Sequence, residues 1–290
     1  MKKFLFHIAV ICITIIGVLF LADYSYTEIY NNSKPRNKIA LAYLGEAKKY
    51  DVIFLGSSRA NNHFVPNIFI ERGFKAYNYG MSGSRLEESA LLLELLLEKG
   101  TKIKNLVVEV DLNINSNGYS EGTRILFYPF LRKSNTIRSY YKNIPEFDQL
   151  YYFPFYKYIK NDAKIGAREL FFTATQKPSH NMELFGFSPL EKTGKKMQYD
   201  LSRYHPKRNK GYEKIKELCK IYNVNIIAVT TPMCENTKNI KYFDDVVKLY
   251  PEIYNLEDVI TDESCFSSCG HMNEKGAKKF TLYLLNRFFK

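Results

Sequence analysis

Short apolar runs that alternate with helical stretches are the feature that most constrains the fold of this chain. The runs lie at residues 51–55, 76–79, 105–110 and 225–230, and a weaker fifth run lies near 253–256. Each run is continuously apolar, which is typical of strands buried on both faces of a parallel sheet. The order of runs and helices predicts an open, mostly parallel sheet of about five strands with helices on both faces.

The helical stretches support this interpretation. The clearest one follows Ser84-Arg85-Leu86-Glu87, which has the pattern of a capping box, and it ends at Lys99-Gly100. Residues 208–222 and 274–289 also have helical periodicity. The fold class expected from the alternation is a flavodoxin-like three-layer α/β/α sandwich. In that architecture ligands bind beyond the carboxyl ends of the strands.

A nearly unbroken apolar stretch of 19 residues runs from Phe4 to Ala22, after Lys2 and Lys3. This length is just enough to cross a bilayer core of about 30 Å. A cleaved signal peptide has a similar layout, but its apolar region is usually shorter, and the bulky Phe20 weakens the cleavage site before Asp23. We therefore expect an uncleaved single-pass anchor, with the two lysines cytoplasmic and the rest of the chain outside the membrane.

The predicted organisation has three parts. Residues 1–30 form the membrane anchor, residues 31–49 a connecting helix, and residues 50–290 one α/β domain. Residues 115–204 interrupt the strand–helix rhythm and are dense in Tyr, Phe, Lys and Arg. This insertion is interpreted as a lid or substrate platform over the strand ends, or equally as a helical subdomain with aromatic packing.

The net charge bears on the partners. Lys and Arg number 42 against 30 Asp and Glu, a formal charge of +12. Such an excess favours anionic neighbours, although a solvated basic surface is the simpler interpretation. No zinc-finger spacing or helix-turn-helix pattern is present in the sequence, and the anchor would keep the domain away from the cytoplasm, so we expect no nucleic-acid partner.

Four cysteines lie outside the predicted anchor: Cys219, Cys234, Cys265 and Cys269. An even number in an exported domain permits disulfides, and the sequence does not choose among three full pairings. Our prediction is a local Cys265–Cys269 bond that shapes the loop carrying His271, with Cys219 and Cys234 as alternative partners. A metal site of Cys265, Cys269 and His271 is the weaker alternative, because a structural zinc site needs a fourth ligand.

Polar residues follow three of the predicted strands and precede the last helix. Gly56-Ser57-Ser58 follows the first strand, Met81-Ser82-Gly83 the second and Asn113 the third, whereas His271 precedes the final helix. Each of them alone suits an ordinary turn. Because the carboxyl ends of parallel strands meet at one edge, we expect these groups to lie together. A hydroxyl, backbone N–H groups, an amide and an imidazole are what nucleophilic acyl transfer needs.

These motifs resemble those of the SGNH (GDSL-like) hydrolase superfamily, including membrane-anchored envelope acyl esterases and acyltransferases. The resemblance covers about residues 51–113 and 225–290 and leaves the insertion unexplained. It implies that Ser58, rather than Ser57, is the nucleophile and that His271 is the general base. It also implies an oxyanion hole formed by the backbone N–H groups of Ser58 and Gly83 and by the side chain of Asn113.

One departure concerns the third catalytic residue. The family usually carries an Asp three residues before the His, and Ser268 occupies that position here. Asp262 is our candidate for the acid, with Glu263 beside it. A main-chain carbonyl could orient the imidazole instead, or the site could be inactive. Disabling the acid costs about 10⁴ in rate in a serine protease, so the departure matters.

The resemblance implies a serine esterase or O-acyltransferase that acts on acyl esters, chiefly acetyl esters, of a cell-envelope glycan or related polymer. It implies no metal or organic cofactor. The expected partners are the membrane, through the N-terminal helix, a cell-surface polysaccharide or teichoic-acid-like polymer, and a membrane-bound acyltransferase. The alternative is a catalytically inactive envelope protein of the same fold that binds polymer or such an acyltransferase, and Ser268 favours it.

Overall fold

The computed structural model describes residues 1–289, apart from the side chain of Asn181. The strands in this part of the chain are β1 (Lys49–Leu55), β2 (Ala76–Asn78), β3 (Lys102–Glu109), β4 (Tyr199–Asp200), β5 (Asn225–Val229), β6 (Thr237–Lys238), β7 (Phe266–Ser268) and β8 (His271–Met272). Short 3-10 helices lie at Leu112–Asn115, Ile125–Phe130, His180–Met182, Leu184–Gly186 and Glu263–Cys265.

The α-helices are α1 (Lys2–Asn32), α2 (Lys38–Leu44), α3 (Ser58–His63), α4 (Pro66–Ile70), α5 (Leu86–Glu98), α6 (Glu121–Arg124), α7 (Asn135–Tyr141), α8 (Phe147–Tyr152), α9 (Tyr156–Lys160), α10 (Asp162–Ile165), α11 (Ala167–Ala174), α12 (Lys210–Tyr222), α13 (Tyr242–Leu249) and α14 (Glu274–Phe288). The connecting helix is shorter than predicted. It begins only at Lys38, because Asn37 caps it by accepting a hydrogen bond from the Ala40 N–H.

The main sheet has four parallel strands in the order β2-β1-β3-β5. This confirms a mixed α/β fold around a parallel sheet. The predicted fifth strand is reduced to one parallel bridge between Val229 and Tyr254. It stops there because the next backbone N–H, on Leu256, donates to the side-chain hydroxyl of Thr230 rather than to a strand carbonyl.

Alternate side chains of the central strand enter two separate cores. Ile53 and Leu55 pack on the side of α2, α5 and α12, whereas Val52 and Phe54 pack on the side of α3, α4 and α14. All four side chains are fully buried. Burial on both faces explains why the sequence of β1 is continuously apolar instead of alternating.

The insertion is a helical subdomain. Its helix α11 and the 3-10 helix Ile125–Phe130 pack against α1, α9 and α10 are hydrogen-bonded to the second half of α1, and α7 packs against α5. The first part of α1 is different, because an apolar window of 18 residues within it is entirely uncovered by protein. The chain therefore has one N-terminal helix that is long and apolar enough to span a membrane or to serve as a signal sequence.

Candidate active site

The turn between β1 and α3 requires a glycine at its first position. Gly56 has a φ of +139°, and a Cβ built there would lie 2.7 Å from Oε2 of Glu109. No other residue type fits this conformation and this close approach. The turn delivers Ser57 as the N-cap of α3 and Ser58 as its first residue, at the carboxyl end of the strand.

The two serines of this turn have different partners. Ser57 donates from its backbone N–H and its hydroxyl to the same oxygen, Oε2 of buried Glu109, at 2.7 and 2.6 Å. The hydroxyl of Ser58 instead lies 2.8 Å from Nε2 of His271. Ser57 therefore stabilises the turn, and Ser58 is the serine that the fold presents to an imidazole.

His271 lies in β8, directly before the N-cap of α14. Burial, with a smaller contribution from the nearby Arg59 guanidinium, lowers the pKa of His271 to about 4. The ring is therefore neutral at pH 7, the form that a general base requires. Its other nitrogen, Nδ1, lies 3.4 Å from the hydroxyl of Ser268, so a serine stands where the motif resemblance led us to expect an acid.

Asp262 is not brought to His271 in this structure. Its carboxylate caps the 3-10 helix Glu263–Cys265, accepting from the N–H and hydroxyl of Ser264, and it pairs with Lys275 and Lys279. The Ser264 hydrogen bonds hold the pKa of Asp262 well below its usual range. The prediction that Asp262 supplies the acid is corrected on this point, because local hydrogen bonds already fix its carboxylate elsewhere.

Three candidate donors for an oxyanion are free within residues 1–289. Neither the Ser58 nor the Gly83 backbone N–H donates a hydrogen bond to another part of the described chain. The Asn113 side chain is half-buried in the 3-10 helix after β3, and its amide has no partner among these residues. Because β1, β2 and β3 are neighbours, all three donors belong to loops at one edge of the sheet.

The loop that carries Gly83 is hydrogen-bonded to the turn that carries Ser58. The hydroxyl of Ser84 donates to the carbonyl of Gly56 at 3.0 Å, and the N–H of Met81 donates to the same carbonyl, also at 3.0 Å. Ser84 is thus not the N-cap predicted for α5. Arg85 takes that place, and its N–H donates to the Glu88 carboxylate, so the capping box lies one residue later.

A buried lysine that no sequence motif indicated stabilises the same loop. Lys38 on α2 donates to the carbonyls of Gly80 and Gly186, the latter at 2.6 Å, and to the side chain of Asn61. Burial lowers the pKa of Lys38 to about 7. Helix or strand periodicity in the sequence does not predict this role, because the partners of Lys38 come from three distant parts of the chain.

A buried polar network also joins α3 to the strand ends. Nε of Arg59 lies 3.0 Å from the Asp111 carboxylate, and Nη2 of Arg59 donates to the carbonyls of Thr231 and Pro232. The N–H and hydroxyl of Thr231 both donate to Asp111, at 2.7 and 2.8 Å. Burial raises the pKa of Asp111, and Arg59 and Thr231 oppose that rise. The available sequence signal was Asp111, a charged residue directly after the apolar run of β3.

The network reaches the candidate base through a second histidine. Nε2 of buried His63 accepts the N–H of Met272, the neighbour of His271, at 3.0 Å. Nδ1 therefore carries the proton and donates to the Thr231 hydroxyl at 2.9 Å. Burial lowers the pKa of His63 well below its ordinary value, so the ring stays neutral. His63 thus fixes the position of the β8 backbone relative to α3.

The disulfide prediction was wrong. Cys269 is bonded to Cys234, whereas Cys265 and Cys219 are buried free thiols. Cys265 precedes β7 and Cys269 follows it, at the opposite end of the strand. The loop after β5 brings Cys234 to Cys269, and the Cys234 N–H donates to the Cys269 carbonyl. The alternative metal site of Cys265, Cys269 and His271 loses a ligand, because the Cys269 sulfur is part of the disulfide.

We expect loss of this disulfide to destabilise the domain. The bond closes a loop across a sequence separation of 35, which corresponds to a chain-entropy stabilisation of roughly 4 kcal/mol. The double variant Cys234→Ala/Cys269→Ala should therefore melt about 10 °C lower, against a smaller change for Cys219→Ala. Non-reducing peptide mapping must also show the Cys234–Cys269 peptide, and a Cys265–Cys269 peptide in its place would contradict the structure.

No known protein-family profile matches this chain, and no curated protein matches it. Among solved structures, a protein from Streptococcus pneumonia, provisionally described as a platelet activating factor, is similar at 12% identity and a TM-score of 0.41. The alignment covers 96% of this chain and 98% of that one. A likeness at this level supports no conclusion about fold or activity, so the case for function depends on the site itself.

Proposed function

We propose that this chain is an SGNH-type serine esterase or O-acyltransferase built on a flavodoxin-like sandwich. The observation that carries the proposal is the 2.8 Å contact between the Ser58 hydroxyl and Nε2 of His271. Ser58 attacks an ester carbonyl while its proton passes to His271, which then protonates the departing oxygen. The acyl group leaves Ser58 for water or for a sugar hydroxyl, whose proton returns through His271.

The developing oxyanion is stabilised by donors that the fold leaves free. The N–H groups of Ser58 and Gly83 and the Asn113 amide have no internal acceptor in the described chain. Ser58 is also the first residue of α3, where backbone N–H groups are left without helical acceptors. Removing one such donor from a hydrolase typically costs 10²–10³-fold in rate, so these groups matter to the proposed chemistry.

The proposed acyl group follows from the resemblance of the sequence motifs and not from a cavity. A cavity of about 200 Å³ lies beside the second loop, lined by Asn61, Met81, Ser82 and Thr123 among others. Its lining does not include Ser58, Gly83, Asn113 or His271, so its size carries no information about the acyl group. We propose acetyl esters of a cell-envelope glycan or teichoic-acid-like polymer as substrates.

We further propose that the protein is single-pass, with its domain outside the cytoplasmic membrane. The support is the uncovered apolar part of α1 and the two lysines that precede it. The formal charge of +12 suits anionic polymer and lipid. A membrane-bound acyltransferase is the protein partner that would supply acyl groups in such a position.

The test uses the full chain in detergent micelles, because α1 packs into the domain and truncation at residue 30 would remove buried Asp23 and Tyr30. Turnover of a short-chain aryl ester and fluorophosphonate labelling, mapped by peptide mass spectrometry, are measured together. Label at Ser58 with ester turnover supports the proposal. A folded protein that neither turns over ester nor takes the label would contradict it.

The second candidate function is a catalytically inactive envelope protein that binds polymer or an acyltransferase. Ser268 at Nδ1 of His271 is the observation that favours it, because no carboxylate stabilises the imidazolium. The covalent probe separates the two candidates. A transferase that requires a specific acceptor still reacts with the fluorophosphonate, whereas a binding protein with a disabled nucleophile does not.

The pH profile provides a further prediction. Because the pKa of His271 is lowered to about 4, kcat/KM for an aryl ester should stay high down to pH 5 and fall only near pH 4. Below that pH the ring is protonated and cannot accept the Ser58 proton. An acidic limb near 6.5, the value of an unperturbed histidine, would contradict this account.

The variant Ser268→Asp should move that limb. A carboxylate beside Nδ1 favours the imidazolium, so the pKa of His271 should rise and the limb should shift to higher pH. The rate above the new limb should also increase, since the carboxylate stabilises the charge that forms on the ring. The matched control is Ser139→Asp at an exposed position on α7, in the insertion, which should leave the limb in place.

A further inference from the structure

The base of the domain, where α1 leaves its apolar stretch, is built from the insertion. α1 is one uninterrupted helix from Lys2 to Asn32, so no flexible linker separates the apolar stretch from the domain. Asp23, the first charged residue after that stretch, is only 2% exposed. Its carboxylate pairs with the Lys157 ammonium at 2.6 Å and with the Arg132 guanidinium. Contact between the insertion and the helix therefore starts where the apolar stretch ends.

Aromatic side chains then fix α1 to the insertion. The ring of Tyr26 lies 4.8 Å from that of Phe155 and 5.0 Å from that of Tyr158, between centroids. The hydroxyls of Thr27 and Tyr158 are 2.9 Å apart. Tyr30 is also buried against Tyr158, in a stacked arrangement. These contacts make the second half of α1 part of the domain, so the domain cannot swing freely on its anchor.

Large apolar side chains remain uncovered in the same part of the insertion. Tyr152, Phe153 and Ile159 are 65%, 60% and 61% exposed, and Tyr24 on α1 is similarly exposed. We call these four residues the collar. The segment around Tyr152 lies at the same height along α1 as Asp23. Lys157 pairs with Asp23, and Arg132, which also pairs with Asp23, donates to the Tyr151 carbonyl at 2.8 Å.

The charge around the collar complements anionic lipid. Residues 132–164 contain seven Lys and Arg against three Asp and Glu. Tyrosines at the membrane–water interface with basic residues nearby are typical of protein surfaces that contact a bilayer. The 19 residues from Phe4 to Ala22 span about 28 Å as a helix, which leaves no slack in a core of about 30 Å. Asp23, and the collar with it, thus falls at the headgroup level.

We propose that the collar is a second membrane-contacting surface, which sits in the anionic headgroup region and holds the domain upright on the bilayer. This inference rests on the proposed membrane anchoring by α1 but not on the proposed chemistry. α1 rises about 14 Å from Asp23 to Asn32, and α2 then places Lys38 against the loop of the candidate site. The site is therefore held at a fixed, short height, where it meets acyl esters next to the bilayer.

Single tryptophans test the proposal, because the natural chain contains none. Full-length Phe153→Trp is reconstituted in nanodiscs of phosphatidylglycerol and phosphatidylcholine, with and without lipids brominated near the headgroup end of the acyl chain. The matched controls are Phe20→Trp in the apolar stretch and Ile221→Trp, an equally exposed position on α12. We expect brominated lipid to quench Phe153→Trp and Phe20→Trp and to leave Ile221→Trp unchanged.

The possible outcomes distinguish the collar from the membrane anchor. Quenching of Phe20→Trp without quenching of Phe153→Trp overturns the collar and leaves the anchor intact. Unquenched Phe20→Trp overturns the anchor and the collar together, whereas ester turnover by Ser58 is measured independently of both. Equal quenching at Ile221→Trp also counts against the proposal, because it shows that contact with lipid does not single out the collar.

Discussion

Replacing Ser58 with alanine should lower kcat/KM for an aryl ester by about 10⁴-fold or more and abolish fluorophosphonate labelling. The reason is that the Ser58 hydroxyl is the one that lies 2.8 Å from the neutral ring of His271. His271→Ala should cause a similar loss, and the double variant should be no worse than either single variant, because the two groups act as one unit. Steady-state kinetics on the three purified variants measures this.

The neighbouring serine provides the matched control. Ser57→Ala removes a hydroxyl that donates to Oε2 of buried Glu109, while the Ser57 backbone N–H still donates to the same oxygen. The expected result is a loss of about 1–2 kcal/mol in the free energy of unfolding, with labelling retained. Labelling that survives Ser58→Ala, or that disappears only in Ser57→Ala, would reject the assignment of the nucleophile.

Arg59→Met should lower the free energy of unfolding by about 3–5 kcal/mol, measured by urea denaturation. Arg59 is 3% exposed, and its removal leaves the buried Asp111 carboxylate without a cation. The double variant Arg59→Met/Asp111→Leu should recover part of this loss, since it removes both charges from the interior. kcat/KM should also fall in Arg59→Met. Asp111 accepts a hydrogen bond from Thr231, Thr231 accepts one from His63, and His63 accepts the N–H of Met272 beside His271.

An exposed ion pair serves as the control for this second prediction. Lys248 and Asp245 are 3.0 Å apart with most of the lysine side chain in solvent. Lys248→Met should therefore cost less than about 1 kcal/mol. If Arg59→Met were as mild as Lys248→Met, the network at the strand ends would not be the support that the geometry indicates.

The sequence alone determined the sheet and the places where polar groups follow it. Continuous apolar runs predict buried parallel strands, and four of the five runs became the strands β1, β2, β3 and β5. Because the carboxyl ends of such strands share one edge, the motifs at Ser58, Gly83 and Asn113 could be placed at that edge without coordinates. The order of the chain also placed His271 directly before the last helix, where the structure has it.

What the sequence did not decide are the partners of individual side chains. Asp262 and Cys265 lie close to His271 along the chain, yet the structure brings Ser268 to its ring and bonds Cys269 to Cys234. Likewise, the contacts of Lys38 and Arg59 span tens to more than a hundred residues. Patterns of three or four residues report only local structure. Which distant groups meet is set by the packing of helices on the sheet, and that became visible only in the tertiary structure.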